Sequence, residues 1–430
     1  MAHLTSPEAS ITAGSIDITP QGPVPLAGFT DRTGPSRGVA DPLELNALLL
    51  RTPHTSVAIV SADLLFVTED LKRRVAAAVR DHLTLGDASF LFAASHTHFA
   101  PAVDPSKPLL GRAQPAYVNW VAERGAALLR RLAAAEPMPG GLVEYRSGPA
   151  AHAINRRRMG WRLSPRHLPR RAALRAPDPT GPRDETVHVL TFTDAGGRPV
   201  ALLWSYACHP VTFAQPWQVS ADYPGVVRRA LRAAFGADLP VLFLQGCAGD
   251  IRPRELGPPR ELGRRLAELV VGKLFTPFTA PEYVAWSGSL ATRVMEVARG
   301  HAASYRLTPA AAETRLRLSA LLAGASPDQD VTFQRVRVAP ELAIAALSAE
   351  PVAEYGPILR SQGPGTVIPV GYTDTVFGYL PSARMLGQHG YEDEGFMKAF
   401  GIAGRFRPDI EEVVRWALQP HPPRTALPSP

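Results

Sequence analysis

The sequence predicts an α/β protein of mixed sheets with flanking helices, and three observations carry that prediction. Apolar runs of strand length alternate with helix-like segments through the first half of the chain. Glycine and proline punctuate the joins between them. Several of the apolar runs end in a polar residue capable of chemistry, the pattern that α/β folds use to gather a site at strand ends.

Ser56 to Asp63 (SVAIVSAD) and Ser89 to Ser95 (SFLFAAS) read as buried strands, with a helix near Thr68 to His82 between them. Val118 to Ala135 has Ala, Leu and Arg at helical spacing. Val187 to Thr193 and Pro199 to Tyr206 read as a hairpin turning at Ala195, Gly196 and Gly197. Tyr223 to Phe235 reads as a helix, Pro240 to Gln245 as a strand, and Pro259 to Leu274 as a further helix. From Tyr283 to Val338 the alternating patches predict antiparallel strands, broken by a loop at Ala323 to Asp330, before a strand Leu342 to Leu347 that leads into Glu350. No internal repeat is visible in the sequence. Residues 1–415 are expected to form a single catalytic domain, and 416–430, ending in PHPPRTALPSP, a flexible tail too rich in proline to pack regularly.

The 430 residues, 45% of them hydrophobic, are enough for a large core. The 43 prolines and 35 glycines are spread without a period, which excludes a fibrous composition. The net charge of +7 comes largely from arginine, much of it between Arg156 and Arg171, a run that reads as a pocket entrance or a solvated loop. No nucleic-acid docking motif accompanies it, so a nucleic-acid partner is not expected. Two cysteines, Cys208 and Cys247, cannot make a disulfide framework or a thiolate metal site and read as core residues. With no apolar run long enough to span a bilayer and no signal-like N-terminus, a cytoplasmic location is the expectation.

Three constellations can carry chemistry. Ser95-His96-Thr97-His98 follows an apolar strand, and histidines at i and i+2 on extended backbone reach the same face, a spacing that suits a metal. Cys208-His209-Pro210 repeats the layout and is followed by Asp222 in SADYPG. Two such histidine sites favour a shared zinc ion, neutral imidazole being the commonest metal ligand. Gln245-Gly246-Cys247-Ala248-Gly249-Asp250 is a strand running into a glycine-rich turn, where Asp250 can orient a histidine, move a proton, or simply close the turn.

SHTHFAP, ACHP, SADYPG and QGCAGDIRP stand here in the order of corresponding segments in the neutral/alkaline ceramidases, and GSIDITP, Leu26-Ala27-Gly28-Phe29 and Ile154-Asn155-Arg156 are similar to earlier ones. The resemblance spans most of residues 11 to 400. It implies a zinc ion held by His96, His209, Glu350 in LSAEP and Tyr379 in FGYLP, the last placed by counting back from Tyr391-Glu392. It further implies that His98 and Arg156 contact the substrate and polarise its carbonyl; on chemical grounds Asp250 or Asp222 is expected to orient ligands or move protons. The implied reaction is hydrolysis of an amide (N-acyl) bond in a small molecule or lipid by metal-activated water. Esterase or acyltransferase chemistry at the same site, or an inactive ligand-binding homologue, is the alternative.

One departure matters. Arg252 stands where the family has a serine, in Gly249-Asp250-Ile251-Arg252-Pro253, so a serine nucleophile is excluded there. Arg252 and Asp222 are expected to touch the substrate, and a cationic Arg252 argues for a more polar or acidic molecule than ceramide. The family's C-terminal immunoglobulin-like domain and export signal have no counterpart in this reading of the chain.

Overall fold

In a computed structural model the described residues are 9–80, 83, 86, 89–164, 167–255, 278–324 and 329–419. The expected helix at Pro259 to Leu274 and the tail from Pro420 lie outside them, as do residues 325–328 of the expected loop.

The largest sheet has nine strands: β1 (Ser10–Asp17), β2 (Glu44–Arg51), β3 (Ser56–Ala62), β4 (Phe90–Ala94), β5 (Met138–Pro149), β8 (Thr186–Asp194), β9 (Pro199–Tyr206), β10 (Val241–Gln245) and β12 (Ala303–Arg306). Its order is β10-β9-β8-β5-β1-β2-β3-β4, with β12 also on β5. A second sheet joins β6 (Ala153–Ser164), β7 (His167–Asp178) and β11 (Ile251–Pro253). A third joins β13 (Ala310–Arg317), β15 (Asp330–Ala339), β16 (Leu342–Leu347) and β18 (Thr366–Val370). Two short pairs complete the set, β14 (Leu322–Ala323) with β20 (Arg405–Phe406) and β17 (Glu350–Pro351) with β19 (Tyr379–Leu380). Among the described residues the α-helices are α1 (Glu69–Ala77), α2 (Pro115–Ala134), α3 (Asp222–Phe235), α4 (Ala280–Ala298), α5 (Tyr355–Arg360), α6 (Met397–Phe400) and α7 (Ile410–Ala417).

A repeat invisible in the sequence is plain in the topology. An antiparallel hairpin, a helix, and a strand parallel to the hairpin's second arm occur three times: β2-β3-α1-β4, β8-β9-α3-β10 and β15-β16-α5-β18. The inner faces of all three units share one core, in which Leu48, Ile59 and Leu91 meet Leu203, Leu242 and Leu244 and also Val336, Ile344 and Val370. Helices cover the outer faces, α1 and α2 on the first unit, α3 and α4 on the second, α5 and α7 on the third. Strands buried on both faces must be apolar throughout, which is why β3, β4, β10 and β16 read as unbroken apolar runs rather than alternating ones.

Two expectations are corrected. Residues 280–298 are helix, not strand: Tyr283, Trp286, Ser287, Leu290, Ala291, Val294, Val297 and Ala298 are the buried positions, a three-and-four spacing that outweighs the local alternation. Thr279 and Glu282 close a capping box at its start. The arginine-rich stretch is not a loop but the hairpin β6-β7, whose first arm buries Arg156 and Arg157 while Arg162, Arg170 and Arg171 stay exposed. Elsewhere the elements match, with α1 beginning after Thr68, whose hydroxyl accepts from the Leu71 N–H. Helix α7 carries ordered packing past residue 415, with Ala417 and Leu418 both buried. No helix among the described residues is long and apolar enough to cross a membrane.

Candidate metal centre

Each topological unit delivers one chemically active side chain at the end of a strand. His96 follows β4, His209 follows β9 and Glu350 follows β16. The three units face a common core, so their strand ends converge.

His96 does not converge by strand alternation, as its spacing from His98 suggested. Its φ is +64°, in the left-handed region where only glycine is at ease, and this turn redirects the imidazole inward. Asp222 (φ +55°) and Tyr372 (φ +60°) are held in the same region close by. Non-glycine residues kept there cost about 1–3 kcal/mol each, and such strain clusters at functional sites.

The two buried histidines are oriented alike. His96 Nδ1 donates to the Leu65 carbonyl at 2.9 Å, and His209 Nδ1 donates to the carbonyls of Ala248 at 2.7 Å and Ile251 at 3.0 Å. Fixing the proton on Nδ1 leaves each Nε2 with a free lone pair beside Glu350 Oε2, the tautomer that metal-binding histidines require. Glu350 Oε2 lies 3.4 Å from both Nε2 atoms, and His98 Nε2 is 3.4 Å from that of His96. Ligand atoms bonded tetrahedrally to zinc at about 2.0–2.1 Å stand about 3.3–3.4 Å apart, so these spacings fit the edges of such a site. His209 Nε2 and Glu350 Oε2 are buried without a hydrogen-bond partner, a costly state for polar atoms unless something else binds them. The donor set of two imidazoles and a carboxylate is the chemistry zinc prefers, and His96, His98 and His209 by themselves also form a group able to hold a metal ion.

Electrostatics agree with the geometry. Burial, and beyond it the charge of Arg156, lowers the His209 imidazole to about 4, so it is neutral and free to coordinate at pH 7. Burial alone would raise the Glu350 carboxyl, but His96 and His209 outweigh it and hold the group well below the usual carboxylate range.

Around this cluster the remaining residues have distinct places. Arg156 is buried, giving Nε to Glu392 Oε1 (3.0 Å) and Nη2 both to the Gly249 carbonyl (2.7 Å) and to the Tyr379 hydroxyl (3.2 Å). Tyr379 sits opposite Glu350 in the parallel β17-β19 pair, so both side chains leave the same face. His98 is the most exposed of the three histidines; its ring packs on Phe29 and its Nδ1 has no partner.

Asp250 and Asp222 brace the frame. Asp250 accepts from Asn155 Nδ2 at 2.7 Å and from the Ala353 N–H at 2.8 Å, tying β6 to the segment after Glu350; burial raises its carboxyl to about 6. The Asp222 carboxylate takes hydrogen bonds from the Thr212 N–H and hydroxyl and from the Tyr223 N–H, which fixes the loop behind His209; burial raises it, too, to about 6. Arg252 is buried on β11, paired with Ile154 of β6.

Sequence reasoning missed two residues. Tyr372 follows β18, its ring 4.3 Å from that of His96 and 6.1 Å from that of His209, with its hydroxyl buried and without a hydrogen-bond partner. The signal was the one used for His209, an apolar strand (TVIPV) ending in a polar residue. Glu392, used only as a landmark, is buried and binds both Arg156 and Arg157; nothing local in the sequence announces that pairing.

Gly28 shows how closely the centre is packed. Its φ is +105°, and a Cβ there would stand 2.4 Å from His98 Nδ1. Gly28→Ala is expected to cost about 1–3 kcal/mol in backbone strain and to displace His98. Thermal unfolding should show the loss and turnover should fall, while the metal content, which His98 does not govern in our reading, stays level.

No family model and no curated protein matches the chain by sequence. Solved structures do match. The neutral ceramidase from Pseudomonas aeruginosa aligns with a TM-score of 0.74 at 16% identity, over 96% of this chain and 73% of that one. A ceramidase complexed with C2 aligns with a TM-score of 0.72 at 14% identity, over 96% of this chain and 74% of that one. Over almost its whole described length, therefore, the chain has the fold of a ceramidase.

Proposed function

We propose that this protein is a zinc-dependent amidohydrolase that cleaves an N-acyl bond in a small molecule or lipid. The observation that carries the reading is the meeting of His96 Nε2, His209 Nε2 and Glu350 Oε2 at 3.4 Å contacts, with both Nδ1 protons pinned to backbone carbonyls. His96, His209 and Glu350 would hold the ion, with Tyr379 as the fourth ligand. When bound, a zinc ion supplies the Lewis acidity that makes water nucleophilic near neutral pH.

The protein's own groups do the rest. Arg156, fixed by Glu392 and the Gly249 carbonyl, presents a permanent positive charge beside the Tyr379 hydroxyl, where it stabilises negative charge developing on the amide oxygen. His98, at the open edge of the cluster, is kept neutral by burial and by His96 and His209, so it would orient the scissile amide, take a proton from the attacking water and pass it to the departing nitrogen. Asp250 and Asp222 act through others, the first by locking Asn155 against Ala353, the second by holding the His209 loop. The ceramidase likeness supports the same bond class, since those enzymes are named for an amide substrate.

Purified protein is expected to contain about one zinc ion per chain, and hydrolysis of an N-acyl amide is expected to stop on chelation and return with added zinc. Metal-free protein that still hydrolyses the amide, or activity indifferent to chelation, would sink the proposal.

A further inference from the structure

The arginines of the hairpin β6-β7 divide into two sets. At its base Arg156 and Arg157 are buried and answered by Glu392 and Asp393, with Asp250 also acting on Arg156. Farther out, Arg158, Arg162, Arg170 and Arg171 are exposed. Residues 156–177 hold eight arginines and no acidic residue, against a net charge of +7 for the whole chain, so the surplus positive charge of the protein is concentrated on this hairpin. Arg162 stands directly across from Arg170, a like-charge pairing that the sheet by itself disfavours. Arg162 also reaches the His389 carbonyl at 3.5 Å, where the neighbouring carboxylate, Glu394, is turned to His389 Nδ1 at 3.1 Å.

Apolar surface lies in the same place. Among the described residues six large apolar side chains are exposed, and two of them, Met159 (39%) and Trp161 (57%), are two positions apart on β6 and so leave the same face. Trp161 pairs with Arg171 across the hairpin, and of the six tryptophans in the chain it is the one that stands exposed. An arginine patch alone suits any polyanion. Met159 and Trp161 beside it suit a bilayer, whose anionic headgroups lie directly over an apolar layer and at whose boundary an indole ring is at home.

We infer that the outer part of the hairpin β6-β7 docks the protein on a bilayer containing anionic lipids, with Met159 and Trp161 entering the headgroup boundary and Arg162, Arg170 and Arg171 meeting the lipid phosphates. A strand rises about 3.3 Å per residue, so the five steps from Arg156 to Trp161 put the docking face about 16 Å along β6 from the arginine beside the metal cluster. The inference concerns where the protein sits and not which bond it cleaves, so it stands or falls independently of the amidohydrolase reading.

Binding of the full chain to phosphatidylcholine vesicles and to equimolar phosphatidylcholine and phosphatidylglycerol vesicles tests it, read by cosedimentation and by tryptophan emission. Affinity for the anionic vesicles should exceed that for phosphatidylcholine by at least about tenfold, and the emission should move to shorter wavelength and be quenched by brominated acyl chains. Each arginine near an anionic surface contributes about fivefold, so Arg170→Gln combined with Arg171→Gln should weaken anionic binding by about tenfold to thirtyfold. The same charge removed from exposed positions of α2, in Arg130→Gln combined with Arg131→Gln, should weaken it by less than about twofold, because charges away from the contact are screened. Trp161→Phe should abolish the emission shift, and circular dichroism establishes that each variant is folded. Equal affinity for the two kinds of vesicle, an emission that does not move, or equal losses in the two arginine pairs overturns the inference. Tighter binding to a single-stranded oligonucleotide than to the anionic vesicles at the same salt assigns the patch to a nucleic acid and overturns it as well.

Discussion

Replacing His209 with alanine is expected to leave a folded protein that no longer holds its metal and no longer hydrolyses an amide. His209 is held from behind by the carbonyls of Ala248 and Ile251, and its Nε2 is 3.4 Å from Glu350 Oε2, so alanine removes a proposed ligand that the turn 246–251 holds in place. Zinc binding worth about 10–16 kcal/mol, shared over four ligands, assigns roughly 2.5–4 kcal/mol to each. Loss of one then weakens affinity by about a hundredfold to a thousandfold. Dialysis against a chelator buffer followed by metal analysis reads this directly. His98→Ala is the informative control. His98 is as close to His96 as Glu350 is, yet its Nδ1 has no partner to fix the ring, whereas both proposed histidine ligands have theirs. His98→Ala should therefore keep zinc and lose turnover. Should His209→Ala retain full zinc, or His98→Ala lose it, the ligand assignment is wrong.

The sequence made the strand ends legible and left the way they meet obscure. His96, His209 and Glu350 each follow an apolar run, and such runs mark strands buried on both faces, so position along the chain predicted position at the rim of a sheet. The three-unit topology that brings these rims together has no sequence repeat to betray it, because each unit needs only apolar residues in the right period, which many sequences supply. The turn at His96 was hidden for a different reason: a left-handed φ at histidine contradicts local preference and is imposed by packing around it. Helix α4 was misread because Tyr283 to Ser289 contains enough alternation to mimic a strand, and its three-and-four spacing emerges only over the full 19 residues. Long-range ion pairs were the least legible of all. Arg156 and Glu392 are 236 positions apart, and no pattern in either segment names the other.

That pair carries the second large effect. Glu392 accepts from Arg156 Nε at 3.0 Å through one oxygen and from Arg157 Nη1 at 2.9 Å through the other, and all three residues are buried. Burial alone would raise its carboxyl, but Arg156 and Arg157 together hold it below the ordinary value, so it is charged at neutral pH. Glu392→Ala is expected to cost about 3–5 kcal/mol, the range for removing one partner of a buried pair and leaving uncompensated charge behind. Arg157 keeps Asp393, whereas Arg156 keeps only neutral acceptors, the Gly249 carbonyl and the Tyr379 hydroxyl, so the strain falls on the arginine beside the metal cluster. Stability and catalysis should then fall together. Denaturant midpoints should drop, and kcat/KM should drop further than zinc content does, because His96, His209 and Glu350 are untouched. Glu392→Gln, which retains an acceptor without the charge, should lie between. A loss below about 1 kcal/mol in Glu392→Ala would mean that water reaches Arg156, and an arginine so solvated could not stabilise charge on an amide oxygen in the way the proposed chemistry requires.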